Sequence, residues 1–252
     1  MSGYDTAGTI ISYAAVECGL TPVSDPFGSS SPEQIQLRTL LNMCGRELWA
    51  KTQWQQFVRA YTIDTTTDPI TPGGNEYAFP SDYGYWINQT GWTPNNLGLG
   101  LPLGGPLSEQ QWTTIVAQNL AASTIYISFK IGNDRIQILP NPPPADTSIT
   151  FEYMSRAWVQ PAGTTDPDDR TDLIADSDDT VLFESILMVK MLATRYKEAK
   201  GLDPTSSMAQ FAAAYQTATS INKPAPILNT AVQQLFPLIN VWTNTPPTGY
   251  GS

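Results

Sequence analysis

The sequence predicts an α+β protein. We expect a helical domain, made of N-terminal helices and a long C-terminal antiparallel helix pair, with a small antiparallel β-domain inserted and an extended C-terminal tail. Three observations predict it. Apolar residues recur at helical spacing up to about Trp54, alternate with polar ones from Gln56 to Met154, and return to helical spacing after Asp179. The helical domain is therefore assigned to residues 1–55 and 176–221, and the β-domain, with a helix near 108–118, to residues 56–163. Residues 222–252 form the arm.

The elements follow in order. Thr9 to Leu20 carries Ile10, Ile11, Ala14, Ala15 and Cys18 at helical spacing. Pro22, Pro26 and Gly28 make the next stretch a loop. A second helix starts at Ser31, with Pro32 in the first turn and Gln34 placed to complete a capping box. Leu37, Leu41, Cys44 and Leu48 form its apolar stripe, beside Leu40 and Trp49, and it is expected to end near Trp54. Phe57 to Thr65 alternates as a half-buried strand does, and Asp68 to Asn75 is a turn region. Glu76 to Phe79 and Tyr83 to Asn88 follow as short strands, then Trp92 to Gly105 as a long, irregular, apolar loop.

Ser108 starts a helix with Glu109 and Gln111 near its N-terminus and Trp112, Ile115 and Val116 on one face. Thr124 to Ile131 and Arg135 to Leu139 flank the tight turn Gly132-Asn133-Asp134. Pro140 to Pro144 interrupts the sheet, and Ser148 to Met154 resumes it with Ile149, Phe151 and Tyr153 on one face. Thr164 to Asp179 holds seven Asp. It leads into a helix from about Thr180 to Lys200, with Leu182, Ile186, Val189, Ala193 and Tyr196 as its stripe. Acids at its start, basic residues toward its end and Gly201 after it match the helix dipole and a C-terminal stop. Asp203 and Pro204 open a last helix, with Met208, Phe211, Ala212 and Tyr215 at spacings of three and four. After Ile221 the chain combines five prolines with Leu235, Phe236, Leu238, Ile239, Val241 and Trp242, too apolar for a solvated tail.

Composition narrows function. The net charge is −10, from 23 acidic and 13 basic residues, and there is no basic footprint for phosphate. Specific nucleic-acid binding is not expected. An acidic surface serves solubility and is compatible with DNA passing without sticking. Cys18 and Cys44 are expected as free thiols, and no apolar run is long enough for membrane insertion. The first residues lack a signal peptide, so a reducing cytoplasm is the expected place of synthesis.

The chain has no histidine. That removes Ser–His–Asp and Cys–His catalysis and every zinc site with a His ligand. The Asp166, Asp168, Asp169, Asp172 cluster is the best metal candidate, but Arg170 and Thr171 stand where a calcium loop needs a ligand and a glycine, so a solvated loop is preferred. Glu152 and Glu184 could in principle form a hydrolytic carboxylate pair, yet nothing singles them out. Gly98, Gly100 and Gly104 lack phosphate-loop spacing. Tyr83, Tyr85, Trp86 and Trp92 suit core packing first, an interface second and sugar stacking third. No catalytic residue, cofactor or metal ligand is assigned, and no enzymatic activity is expected.

The order of several short motifs carries a resemblance. Tyr77-Ala78-Phe79-Pro80-Ser81-Asp82-Tyr83 is followed by Pro106-Leu107-Ser108 to Trp112, Arg135-Ile136-Gln137-Ile138-Leu139-Pro140 and Ile149-Thr150-Phe151-Glu152-Tyr153. Asp176-Ser177-Asp178-Asp179 then precedes a helix closing in Lys197-Glu198-Ala199-Lys200-Gly201. Over roughly residues 30–215 this resembles the head-to-tail adaptors of short-tailed bacteriophages, also described as tail tubular protein A-like or head-tail connectors.

The resemblance implies a structural virion protein of the tail or neck, assembled in the host cytoplasm as a homo-oligomeric ring, dodecameric by analogy. The ring would join the portal protein to the tail nozzle protein, with tail fibres as a further candidate partner, and would line the channel through which DNA leaves. Leu235, Phe236, Leu238, Ile239 and Trp242 are candidates for contact with the portal or a neighbouring subunit. Trp92, Leu97, Leu99, Leu101 and Leu103 are candidates for contact with the nozzle. Rival readings are another tail component (nozzle or fibre attachment), then a carbohydrate-binding module, then a carboxylate-based hydrolase.

Overall fold

A computed structural model describes residues 3–71, 74–94, 100–118, 127–141 and 147–222. These all fall in one compact unit, Met1–Asn222. Five helices are found among the described residues: α1 (Ala7–Glu17), α2 (Pro32–Lys51), α3 (Glu109–Ala117), α4 (Ser185–Ala199) and α5 (Thr205–Asn222). The strands are β1 (Val58–Asp64), β2 (Glu76–Ala78), β3 (Tyr83–Trp86), β4 (Trp92–Pro94), β5 (Gly100–Pro102), β6 (Ser128–Gly132), β7 (Arg135–Leu139), β8 (Ser148–Ser155), β9 (Val159–Gln160) and β10 (Thr180–Val181). They pair antiparallel in three sheets. One five-stranded sheet runs β1-β8-β4-β5 with β3 also on β8, one three-stranded sheet runs β2-β7-β6, and β9 pairs with β10.

The α+β class describes this chain, but the expected division into a helical domain with an inserted small β-domain does not. The strands form several sheets, and one of them helps to build the helical core. Along β8, Ile149, Phe151 and Tyr153 face one hydrophobic cluster, while Met154 turns to the other and packs with Leu37, Leu41, Leu48, Leu187 and Leu192 of the helices. Alternation makes this possible, because neighbouring strand residues point to opposite faces. Trp158, Val159 and Val181, all outside the helices, complete the same cluster. Trp158 is 1% exposed. Burying ~200 Å² of indole at about 25 cal/mol per Å² is on the order of 5 kcal/mol, so the helices depend on a residue from the β segment.

The C-terminal helix pair is also shorter than expected. Thr180 and Val181 are in β10, held by Thr180 opposite Gln160 and Val181 opposite Val159, so α4 begins only at Ser185. Its stripe is shifted. Ile186 is 60% exposed, whereas Leu187, Met188, Met191 and Leu192 are buried. Helix α4 packs against α1, α2 and α5 and is apolar around most of its girth. A helix surrounded in this way has no single stripe to read. On α5 the buried side is Ser207 and Ala218 with Phe211, Ala214 and Tyr215, and Met208 points outward. Arg195 Nη2 donates to both carboxylate oxygens of Glu47, at 2.7 and 2.6 Å, and ties α4 to α2.

Helix ends depart from expectation where side chains have other partners. Thr6 caps α1, which therefore starts at Ala7. At α2 the Ser31–Gln34 box does not form: the Ser31 hydroxyl donates to Glu33 and Gln34 is buried. Helix α2 stops at Lys51, and Trp54 folds back to donate its indole N–H to Leu48 O at 2.8 Å. The Ser108–Gln111 box at α3 is complete. The tight turn between β6 and β7 places Asn133 and Asp134 at φ 54° and 56°, as a two-residue hairpin requires.

Candidate assembly interface

The loop expected from Trp92 to Gly105 is partly ordered by pairing. Its two ends form the β4–β5 hairpin, with Trp92 opposite Pro102 and Thr93 opposite Leu101, and Trp92 also pairs with Thr150 of β8. Gly104 then bridges to Ser128, which brings the exit of the hairpin beside β6. Of the nozzle candidates, Trp92, Leu101 and Leu103 are half-buried, and Leu103 packs on the sheet cluster. Leu97 and Leu99 lie outside the described residues. The hairpin continues into α3, none of whose residues is buried. Val116 is exposed, and Trp112 is covered on one side by Lys130, whose ammonium lies 5.3 Å from the ring and 2.9 Å from Glu109. Hairpin and α3 thus present apolar side chains from a fixed sheet edge. The second candidate group, Leu235, Phe236, Leu238, Ile239 and Trp242, lies outside the described residues.

The remaining candidates have structural partners. The aromatic set does not form one platform: Trp86 stacks between Phe129 and Phe151 at 4.5 and 3.9 Å, Tyr83 stacks on Phe79 at 3.9 Å, and Tyr85 turns toward Trp49 at 5.8 Å. Glu152 is exposed on β8, and Glu184 is the N-cap position of α4. In the acidic segment, Asp166 accepts from the Asp168 N–H, Asp168 pairs with Arg59, and buried Asp179 accepts from Ala162, Ala175 and Asp176 N–H groups at 2.8–3.0 Å. Among the described residues no group of three or more His, Cys, Asp or Glu could hold a metal ion, and no helix is long and apolar enough to cross a membrane. Both cysteines are free thiols. Burial pushes the Cys44 thiol up to about 12, so it packs as a small apolar group.

One residue of the Phe79-Pro80-Ser81-Asp82-Tyr83 motif has a part that spacing did not reveal. Asp82 accepts from the Tyr153 hydroxyl at 2.8 Å and pairs with Arg59 at 3.0 Å. It therefore joins the start of β3 to β1 and β8. Burial raises the Asp82 carboxyl, but the Ser155 and Tyr153 hydroxyls and Arg59 outweigh it and hold the group below the usual carboxylate range. The motif is a fastening of the fold.

Among the described residues the aromatic candidates, Asp82 and Asp179 are thus engaged in contacts that hold the fold together. The family model described as SU10 adaptor protein matches residues 5–231. The chain belongs to the SU10 adaptor protein family. Membership makes it a phage structural adaptor, a virion component in contact with other capsid or tail proteins, and implies a non-enzymatic part. None of the curated proteins matches the chain in sequence.

Proposed function

We propose that this SU10-family adaptor is a head-to-tail adaptor of a short-tailed phage, forming a ring between the portal protein and the tail nozzle. The observation that carries the reading is the match to an adaptor family across residues 5–231. Exposed Val116 and the half-buried Trp92, Leu101 and Trp112 of the β4–β5 and α3 region support a protein partner at that end, which we assign to the nozzle. Residues Leu235 to Trp242 are assigned to the portal or a neighbouring subunit, because so apolar a segment is stabilised by a partner. The net charge of −10 suits a channel wall, since it gives phosphate no cationic surface to bind. Assembly takes place in the host cytoplasm on this reading.

The test is direct. Purified chain mixed with the portal of the same phage is imaged by negative-stain electron microscopy. A ring coaxial with the portal is expected. Discrete monomers on the portal flank, or no binding, would overturn the proposal.

A further inference from the structure

We infer that neighbouring copies meet through two unlike faces, the Arg46–Arg156 cavity of one copy receiving the α1–α4 face of the next. This rests on the ring reading above and names the surfaces that would build it.

The first face is a cavity of about 280 Å³ lined by Arg46, Trp49, Ala50, Arg156, Trp158 and Asp172. Among the described residues Arg46 is the only Lys or Arg without a hydrogen bond, ion pair or ring contact. Arg156 spends one guanidinium N–H on Ser81 O and has no ion pair. The rim is apolar: Met43, one turn before Arg46, is 61% exposed, Leu173 beside Asp172 is 49% exposed, and Tyr85 lies against Trp49. Aromatic residues, Met and Arg are the types enriched where proteins bind one another, and Trp, Tyr and Arg dominate the energy of such contacts.

The second face lies between α1 and α4, in a hollow lined by Asp5, Tyr13, Ser185, Ile186, Val189 and Lys190. Tyr13, Val16 and Ile186 are all more than half exposed. Lys190 is already neutralised by Glu17 at 3.0 Å, while the Asp5 side chain has no partner among the described residues. The face therefore carries an excess of negative charge, and the Arg46–Arg156 cavity an excess of positive charge.

Charge favours unlike faces. In a chain of net charge −10, copies repel unless a contact brings opposite signs together. The cavity carries two arginines against Asp172, and the α1–α4 face carries Asp5 and Glu17 against Lys190, so either face set against itself leaves one unpaired charge of the same sign on each side. Cavity against α1–α4 face joins opposite signs and covers both apolar surfaces. Such a contact is head-to-tail, the kind that closes rings rather than two-fold dimers.

The experiment uses two variants of the full chain and mass photometry. One carries Arg46→Glu with Arg156→Glu, the other Tyr13→Ala with Ile186→Ala, which removes the two large exposed apolar side chains of the α1–α4 face. These positions are exposed, and thermal melting checks that each variant stays folded. Wild type is expected to form rings, and each variant alone to lose them. Mixed one to one, the variants should give dimers and no rings, because each retains the face that the other lacks. If wild type forms rings and either variant still does, the assignment of faces is overturned and the ring reading stands. Variants that stay monomeric when mixed also overturn the pairing. Variants that form rings but fail to enter virions would show that the faces meet another protein. A monomeric wild type, alone and with the portal, would remove the ring reading and this inference together.

Discussion

Gly45 of α2 faces the six-membered ring of Trp158, and the missing side chain is what makes room for it. A Cβ there would lie 2.2 Å from Trp158 Cη2 and 2.3 Å from Cζ2. Both atoms belong to a rigid, fully buried ring. In an open helix Gly→Ala gains about 1 kcal/mol, whereas overpacking a core costs about 1–3 kcal/mol. Gly45→Ala should therefore lower Tm in a circular dichroism melt by a few degrees, and a raised Tm would mean that the ring can shift freely. Asp82 gives a pH-dependent counterpart. Its folded pKa is depressed, so its contribution is complete above the unfolded value of about 3.9 and is lost as pH falls through the lower folded value. Asp82→Asn should cost about 1–3 kcal/mol at pH 7, since Arg59 and Tyr153 lose a charged acceptor. Urea unfolding should show the gap to wild type closing as pH falls below about 3.9. A gap independent of pH would remove Asp82 from the acid response. Neither Gly45 nor Asp82 stood out in the sequence for these reasons. Gly45 resembled any glycine in a helix, and the partners Arg59 and Tyr153 of Asp82 come from strands distant in the chain.

Among the elements, α3 depends most on its own sequence. None of its residues is buried, so capping and the Lys130–Glu109 pair hold it in place of a core. Ser108→Ala removes the acceptor for Gln111 N–H and should cost α3 about 1 kcal/mol. Hydrogen exchange should speed up over residues 109–117 while Tm barely moves. A fall in Tm of several degrees would show that α3 supports the rest of the unit. This cap was legible because its chemistry is local. The same four-residue pattern at Ser31 misled, because Gln34 is drawn into the interior and Ser31 bonds Glu33 instead. Strands β1, β7 and β8 were legible from alternation, being long enough to show it. Strands β9 and β10 have two residues each, too few for any period, and Thr180 and Val181 were absorbed into the helix pattern that follows. The β4–β5 hairpin escaped for the same reason, its strands being three residues each and rich in Gly and Pro. The stripe on α4 was misphased because three helices surround it.

At the scale of the whole molecule, the described cores end at Ala218. Among the described residues the buried members of both hydrophobic clusters run from Ala7 to Ala218, and α5 packs on α4, with Lys51 lying 5.2 Å from the Phe211 ring and Trp54 edge-on to Tyr215. The unit Met1–Asn222 thus has its own core, which is what independent folding requires. The apolar residues Leu235, Phe236, Leu238, Ile239 and Trp242 fall beyond it, in the part of the chain assigned to a partner. Their hydrophobicity was legible in the sequence, but what it serves was not, because an apolar run has the same appearance whether it packs on its own domain or on another chain. Truncation separates the two. Ending the chain at Asn222 should leave cooperative unfolding with Tm changed by no more than about 3 °C, the effect of a loss of about 1 kcal/mol in a domain of this size. The truncated chain should nevertheless fail to attach to the portal in a sedimentation assay. Truncation that collapses Tm would place the segment in the core of its own subunit. A stable truncated chain that still attaches would remove the portal from its partners and leave the neighbouring subunit. Retained stability with lost attachment is the outcome that fits a segment whose apolar surface is buried by the portal.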